Sequence, residues 1–216
     1  MISHAIPSLR VVPHEFAPAD LCSGHVALDF VNTAAGLNRD PRDWLDGYAR
    51  LVEWAEVAGI CDAALRRKLI AQDRASPGRG RAALVRARLL RSALYALIHC
   101  IRNGIRPPAV AVEELQQWCR RGGAGLQLRW HRDGSLHSSL DACSLNLIGV
   151  TVALAAVELL SQPLAGQLGV CAGRNCGWLF LDMSKSRRRR WCDMKTCGNA
   201  AKASRHYRRQ RLAAGA

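Results

Sequence analysis

The chain is 216 residues long, 49% apolar and 22% charged, which suits one sizeable folded core with a small appended module and excludes a disordered polymer. Its formal net charge of +14 is uneven, because residues 171–216 hold 12 Lys/Arg against 2 Asp/Glu while the first 170 hold 19 against 15. The longest apolar run, at 145–160, falls short of the roughly 20 residues of a bilayer span and contains Glu158, so no membrane partner is expected.

The N-terminus shows no basic cluster followed by an apolar stretch, which points to the cytoplasm and to reduced thiols. Residues 1–19 contain three prolines and little periodicity, the pattern of a flexible arm. From 20 to 165 the pattern is helical. GHVALDFVNTA is a short helix, and DWLDGYARLVEWAEVAG follows with Leu45, Tyr48, Leu51, Val52 and Ala55 on one face and Asp43 as a candidate cap. DAALRRKLIAQDR is a third helix opened by Asp62, and SPGRG at 76–80 signals a turn. RAALVRARLLRSALYALIHCI is amphipathic through Leu84, Val85, Leu89, Ala93, Ala96 and Leu97. After Pro107 and Pro108, AVEELQQWCRR gives another helix. GLQLRWHRDGSLHSSL then alternates apolar and polar residues around Asp133-Gly134, a hairpin signal, and a buried helix at about 144–162 stops before Pro163. Trp44, Trp54, Trp118 and Trp130 are expected in the core. Arg88 and Arg91 are expected on a solvated helix face, with binding of an acidic ligand as the alternative.

Nine cysteines divide into two groups. Cys22, Cys61, Cys100, Cys119 and Cys143 are single and fit small buried hydrophobes. Cys171-x4-Cys176 and Cys192-x4-Cys197 are pairs of equal spacing, fifteen residues apart, each closed by glycine: Gly177 and Gly198. Two loops of one length can bring four thiolates to about 2.3 Å from one tetrahedral zinc ion. Glycine beside a ligand permits φ > 0 and brings an N–H near sulfur. The missing export signal disfavours disulfides, and unrelated core cysteines would not explain the duplicated pattern. Four protein ligands leave no place for water or substrate, so one structural Zn2+ is expected.

Between the pairs, residues 178–181 (WLFL) form a β-type run expected to pair with residues 167–170 (QLGV). Lys185 and Arg187, Arg188, Arg189 and Arg190 make a basic loop. Residues 198–212 (GNAAKASRHYRRQRL) follow as a helix, with Lys202, Arg205, His206 and Arg209 on one face. Ala200, Ala203 and Tyr207 on another face are expected to pack on Trp178 or Trp191. A metal-fixed basic helix beside four arginines is the electrostatic footprint of a DNA-binding element, and these nine basic residues are the candidate contacts. A zinc-stabilised module docking on protein or RNA is the alternative. Loss of the metal is expected to unfold this segment while sparing most of the helical region.

The segment CAGRNCGWLFLDMSKSRRRRWCDMKTCGNAAKASRHYRR resembles the CGNR zinc finger, and Val26-Ala27-Leu28-Asp29-Phe30-Val31-Asn32-Thr33 resembles the opening of the ABATE domain that precedes it. The two together cover nearly the whole chain. The resemblance implies a bacterial transcription regulator, associated with the nucleoid when bound. It implies a mainly α chain with a small β-hairpin, in which a helical, sensor-like domain at 20–165 precedes a treble-clef-like, four-cysteine zinc finger at 166–216. It also implies zinc ligation by Cys171, Cys176, Cys192 and Cys197 and contact of the finger with double-stranded DNA. The naming motif ends in Arg, whereas this chain has Ala200 there.

A regulator needs an input. His25, Asp29 and Asn32 fall at i, i+4 and i+7 and are candidates to line a small-molecule effector pocket; the competing reading is polar residues that satisfy backbone groups at a helix junction. A homodimer would suit paired half-sites, although no heptad seam is visible. No nucleophile–base pair occurs at local spacing, so the chain is not expected to be an enzyme.

Overall fold

A computed structural model describes residues 6–130, 136–140, 144–164 and 166–214; the side chains of 128, 129, 136–139, 208, 209 and 212–214 lie outside that description. The chain is mainly α, as expected. Helix α1 (Val26–Val31) is buried almost entirely, through Ala27, Leu28, Asp29, Phe30 and Val31. A small sheet surrounds it in sequence: β1 (Arg10–Val11), β2 (Ala34–Ala35) and β3 (Arg42–Asp43), in the order β1-β3-β2, with β1 parallel and β2 antiparallel to β3. The arm expected to be flexible is laid on the body from Arg10 onward, where its N–H bonds the Pro41 carbonyl. His14 stacks on Trp44 with ring centres 3.6 Å apart, and the Phe16 N–H donates to Glu53.

Helices α2 (Tyr48–Val57), α3 (Ala63–Ala75), α4 (Pro77–Arg102), α5 (Ala109–Gly125) and α6 (Leu147–Leu160) enclose one core. Asp62 caps α3 as expected, accepting from the Leu65 N–H at 2.8 Å. Asp43 does not cap α2, which opens at Gly47. Asp43 lies in β3, where both carboxylate oxygens take Arg91 at 2.8 Å and Arg88 adds a contact at 2.9 Å. Arg88 and Arg91 thus do not form a solvated face: Arg91 is 2% exposed. A charge that deep is tolerated only with a close partner, so this pair ties α4 to β3. Burial opposes ionisation of Asp43, yet the Arg91 contacts hold its carboxyl below the usual range.

The expected turn at 76–80 is shorter than its sequence suggests. Ser76 ends α3 and starts α4, and Pro77 occupies the first helical turn, where its missing N–H costs nothing. The buried stripe of α4 runs through Leu84, Ala87, Leu90, Leu94 and Ile98, whereas Val85 and Leu89 are exposed. The indole of Trp118 from α5 lies against Gly149 of α6, where a Cβ would come within 2.4 Å of the ring; glycine is required for this close approach. Trp54 and Trp118 are core residues, Trp44 is half-buried, and Trp130, at 73% exposure, is not core. Strands β4 (Leu126–Trp130) and β5 (Leu136–Leu140) pair antiparallel; the Asp133-Gly134 turn expected between them lies outside the described residues.

Beyond α6, β6 (Leu168–Val170) and β7 (Leu179–Leu181) form the expected antiparallel pair, in the register Leu168↔Leu181, Gly169↔Phe180, Val170↔Leu179. Alternation splits β7 between two faces. Leu179 and Leu181 join Leu168 in the main helical core, while Phe180 turns to the cysteine side, over Gly169, where a Cβ would meet its ring at 2.4 Å. A single π-helical turn (Met194–Gly198) leads into α7 (Asn199–Ala214). Among the described residues no helix is long and apolar enough to cross a membrane.

Candidate metal centre and cationic helix

The two Cys-x4-Cys loops fold toward each other. Cys171 directly follows β6, with its N–H bonded to the Trp178 carbonyl, and Cys197 sits in the π-helical turn. The four sulfurs of Cys171, Cys176, Cys192 and Cys197 lie within 4.8 Å of one another, with Cys176 to Cys192 at 3.6 Å and Cys192 to Cys197 at 3.7 Å. A tetrahedron with metal–sulfur bonds of about 2.3 Å has edges of about 3.8 Å, so these spacings fit a zinc ion and are far too long for disulfides. When bound, zinc supplies cross-linking of the two loops. The chain's own residues shape the cradle. The Gly173 N–H donates to the Cys171 sulfur at 3.4 Å, and a Cβ on Gly173 would lie 3.0 Å from the Cys197 sulfur. Hydrogen bonds among the clustered thiols lower Cys171 and raise Cys176 and Cys192, and burial raises Cys197, so the metal itself has to displace protons from the cluster when it binds.

The glycines after each pair are not equivalent. Gly177 has φ +81, as the spacing suggested. Gly198 is not left-handed; a Cβ there would meet the exposed, flexible Met194 side chain. Cys22 is not a core hydrophobe of the helical region. It packs against the cluster, and its thiol shares a hydrogen bond with Cys192.

Three polar side chains brace the site, and two of them, Asn38 and Asp182, were missed in the sequence. Asn38 donates to the carbonyls of Cys171 at 3.1 Å and Gly173 at 2.7 Å. Asp182 accepts from the Ser184 N–H and hydroxyl and from the Arg189 N–H at 2.7 Å, which folds the arginine loop back; the Ser184 hydroxyl is the main cause of its lowered pKa. Asn32, a candidate effector residue, donates to the Leu179 carbonyl and accepts from the Leu179 N–H, each at 2.9 Å. Apart from the Asp182–Ser184 turn, none of these contacts has a local spacing signature.

The other two members of that trio are also committed to backbone. The His25 ring caps α1 by accepting from the Ala27 N–H at 3.2 Å, and Asp29 accepts from the Ser23 N–H at 3.1 Å. Burial pushes the Asp29 carboxyl up to about 6, and the bonds from Ser23 limit the rise. The helix-junction reading accounts for every one of these bonds.

The nine candidate DNA contacts divide likewise. Arg189 is structural. Its guanidinium lies 4.6 Å from the centre of the Phe180 ring and donates to the carbonyls of Trp191, Leu181, Cys22 and Cys192. Lys185, Arg187, Arg188 and Arg190 are exposed, Arg187 with the left-handed φ of 47° and Arg190 over the Trp191 ring. On α7, Lys202, Arg205 and His206 are exposed, and the side chain of Arg209 lies outside the described residues. Ala200, Ala203 and Tyr207 do not pack on a tryptophan: all three are exposed, Tyr207 at 66%. Helix α7 therefore extends from the cysteine cluster, held through the π-helical turn. Asp193 caps that turn, accepting from the Thr196 N–H at 2.8 Å.

A family model described as "Putative stress-induced transcription regulator" (ABATE) matches residues 24–163, and the CGNR zinc finger model matches residues 167–210. No curated protein matches the chain.

Proposed function

The chain belongs to the ABATE family and carries a CGNR zinc finger, and from that premise we propose that it is a DNA-binding transcription regulator. Zinc fixes the root of α7, and the exposed basic face of that helix enters the major groove of double-stranded DNA. The observation that carries this reading is α7 itself. Its described side chains from Lys202 to Tyr207 are all exposed, and its root lies among four convergent thiols. A helix exposed along Lys202 to Tyr207 gains little from its own protein, and its basic face is suited to an external polyanion. Lys185, Arg187, Arg188 and Arg190 supply the phosphate contacts that set its register. Four thiolate ligands saturate a tetrahedral zinc, so the metal organises structure and carries no reaction, and we assign the chain no catalytic activity.

Selection from a random duplex pool at about 0.15 M salt tests the reading. The expected result is an enriched motif whose binding weakens steeply with salt, with a log–log slope that loses about one unit when Arg205→Ala removes one contact. Recovery of no motif, with a salt slope that this substitution leaves unchanged, would favour docking on protein or RNA instead.

A further inference from the structure

A cleft of about 430 Å³ opens between the C-terminal end of α4, strand β6 and the arginine loop, apart from the cysteine cluster. Its wall carries Arg102 from α4 and Arg187, Arg189 and Arg190 from the loop, against one carboxylate, Asp182. That carboxylate is already occupied by Ser184 and the Arg189 N–H, and the Arg189 guanidinium is occupied by carbonyls. Two guanidiniums retain donors. Arg102 donates to the Leu168 carbonyl and to the Asn103 amide oxygen and has no carboxylate partner among the described residues. Arg190 has its contact with Trp191 and no acceptor among the described residues. Ile101, Leu164, Leu168 and Val170 give the cleft an apolar side.

The end of α4 would repel an anion if its last carbonyls were open. They are closed. The Asn103 N–H bonds His99 and Cys100, the Gly104 N–H bonds Ile101, and the Ile105 N–H bonds Cys100. What remains is a cationic wall beside an apolar one, in a volume within the range of small-ligand pockets. Guanidinium forks match phosphate oxygens bidentately, and an apolar wall suits the body that carries the phosphate.

We propose that this cleft binds a small phosphate-bearing metabolite, and that its occupation draws Arg190 away from DNA. The second half rests on the DNA-binding reading given above; the first does not. The cleft joins α4, within the segment matched to the ABATE family, to the loop of the finger. A ligand there touches both, and by linkage it weakens DNA binding by the same factor by which DNA weakens its own.

The test uses the full, zinc-loaded chain, with inorganic pyrophosphate and adenosine monophosphate as probes, followed by calorimetry at about 0.15 M salt. At least one probe is expected to bind saturably with one site per chain. Arg102→Ala is expected to weaken it tenfold or more, and Arg205→Ala on α7 to leave it unchanged. In the same buffer the probe is expected to weaken duplex binding by the wild type several-fold beyond a chloride control of matched ionic strength, and not to do so for Arg102→Ala. Absence of binding by either probe at about 5 mM overturns the proposal. So does equal binding by the wild type and Arg102→Ala, which would mark a diffuse basic surface. Loss of duplex affinity in Arg102→Ala with probe binding intact also overturns it, because the cleft would then be part of the DNA track. Probe binding without any duplex binding by the wild type would sink the regulator reading and leave the cleft standing.

Discussion

Asp29 shows what one buried carboxylate does to the whole chain. Its pKa of about 6 in the folded state lies above the ordinary 3.8, so the folded protein holds the proton more tightly than the unfolded one. The resulting stabilisation is complete below about pH 4 and disappears as pH rises through about 6. A rise of this size corresponds to an upper bound of about 3 kcal/mol. Asp29→Asn keeps an oxygen for the Ser23 N–H, so it is expected to raise Tm at pH 7.5 and to have little effect at pH 5. Thermal denaturation of both proteins across that interval checks this, and identical pH dependence would show that Asp29 does not titrate there. Its neighbour Asn32 makes the companion point. Two hydrogen bonds to Leu179, 147 residues away, occupy both ends of its amide. On the sequence alone, this polar residue on a helix face is indistinguishable from a ligand contact.

At the scale of elements, the arginine loop is not a uniform charge run. Both Arg188 and Arg189 are exposed, but Arg189 braces four carbonyls and covers Phe180. Hydrogen bonds from a charged donor contribute roughly 1.5–3 kcal/mol each. Arg189→Ala is therefore expected to lower Tm by several degrees, while Arg188→Ala leaves Tm unchanged and reduces the salt slope of duplex binding by about one. Parallel melting and binding curves for the two variants distinguish the roles. The four ligands were legible because a metal imposes a spacing rule on the chain. The β6–β7 hairpin was legible through its apolar run and its place beside the first cysteine loop. Asn38, Asp182 and Arg189 were not, because each acts on backbone carbonyls or amides that any sequence offers. The stripe of α4 was right at Leu84, Ala93, Ala96 and Leu97 and wrong at Val85 and Leu89, which fit the helical period as well as the true core positions do, and tertiary packing chose between them.

At the scale of the molecule, the zinc-bearing hairpin is not an independent bead. Leu168, Leu179 and Leu181 lie in the helical core, the Leu181 N–H bonds the Ser23 carbonyl, and Asn38 holds the first cysteine loop. Burying one leucine contributes roughly 1.5–3 kcal/mol. Chelating the metal is therefore expected to do more than unfold residues beyond 166, which was the expectation from sequence: Tm of the helical signal should fall by many degrees together with the loss of α7. Circular dichroism melts with and without chelator decide this, and an unshifted helical transition would mean that the hairpin holds its place without the ion. The Asn32 clasp has a practical bearing as well. A chimera spliced near residue 165 would carry its zinc knuckle away from the partner groups that seat it. To become portable, the graft has to bring the stretch from Cys22 through Asn38 with it, so the exchangeable cassette of this protein is discontinuous along the chain.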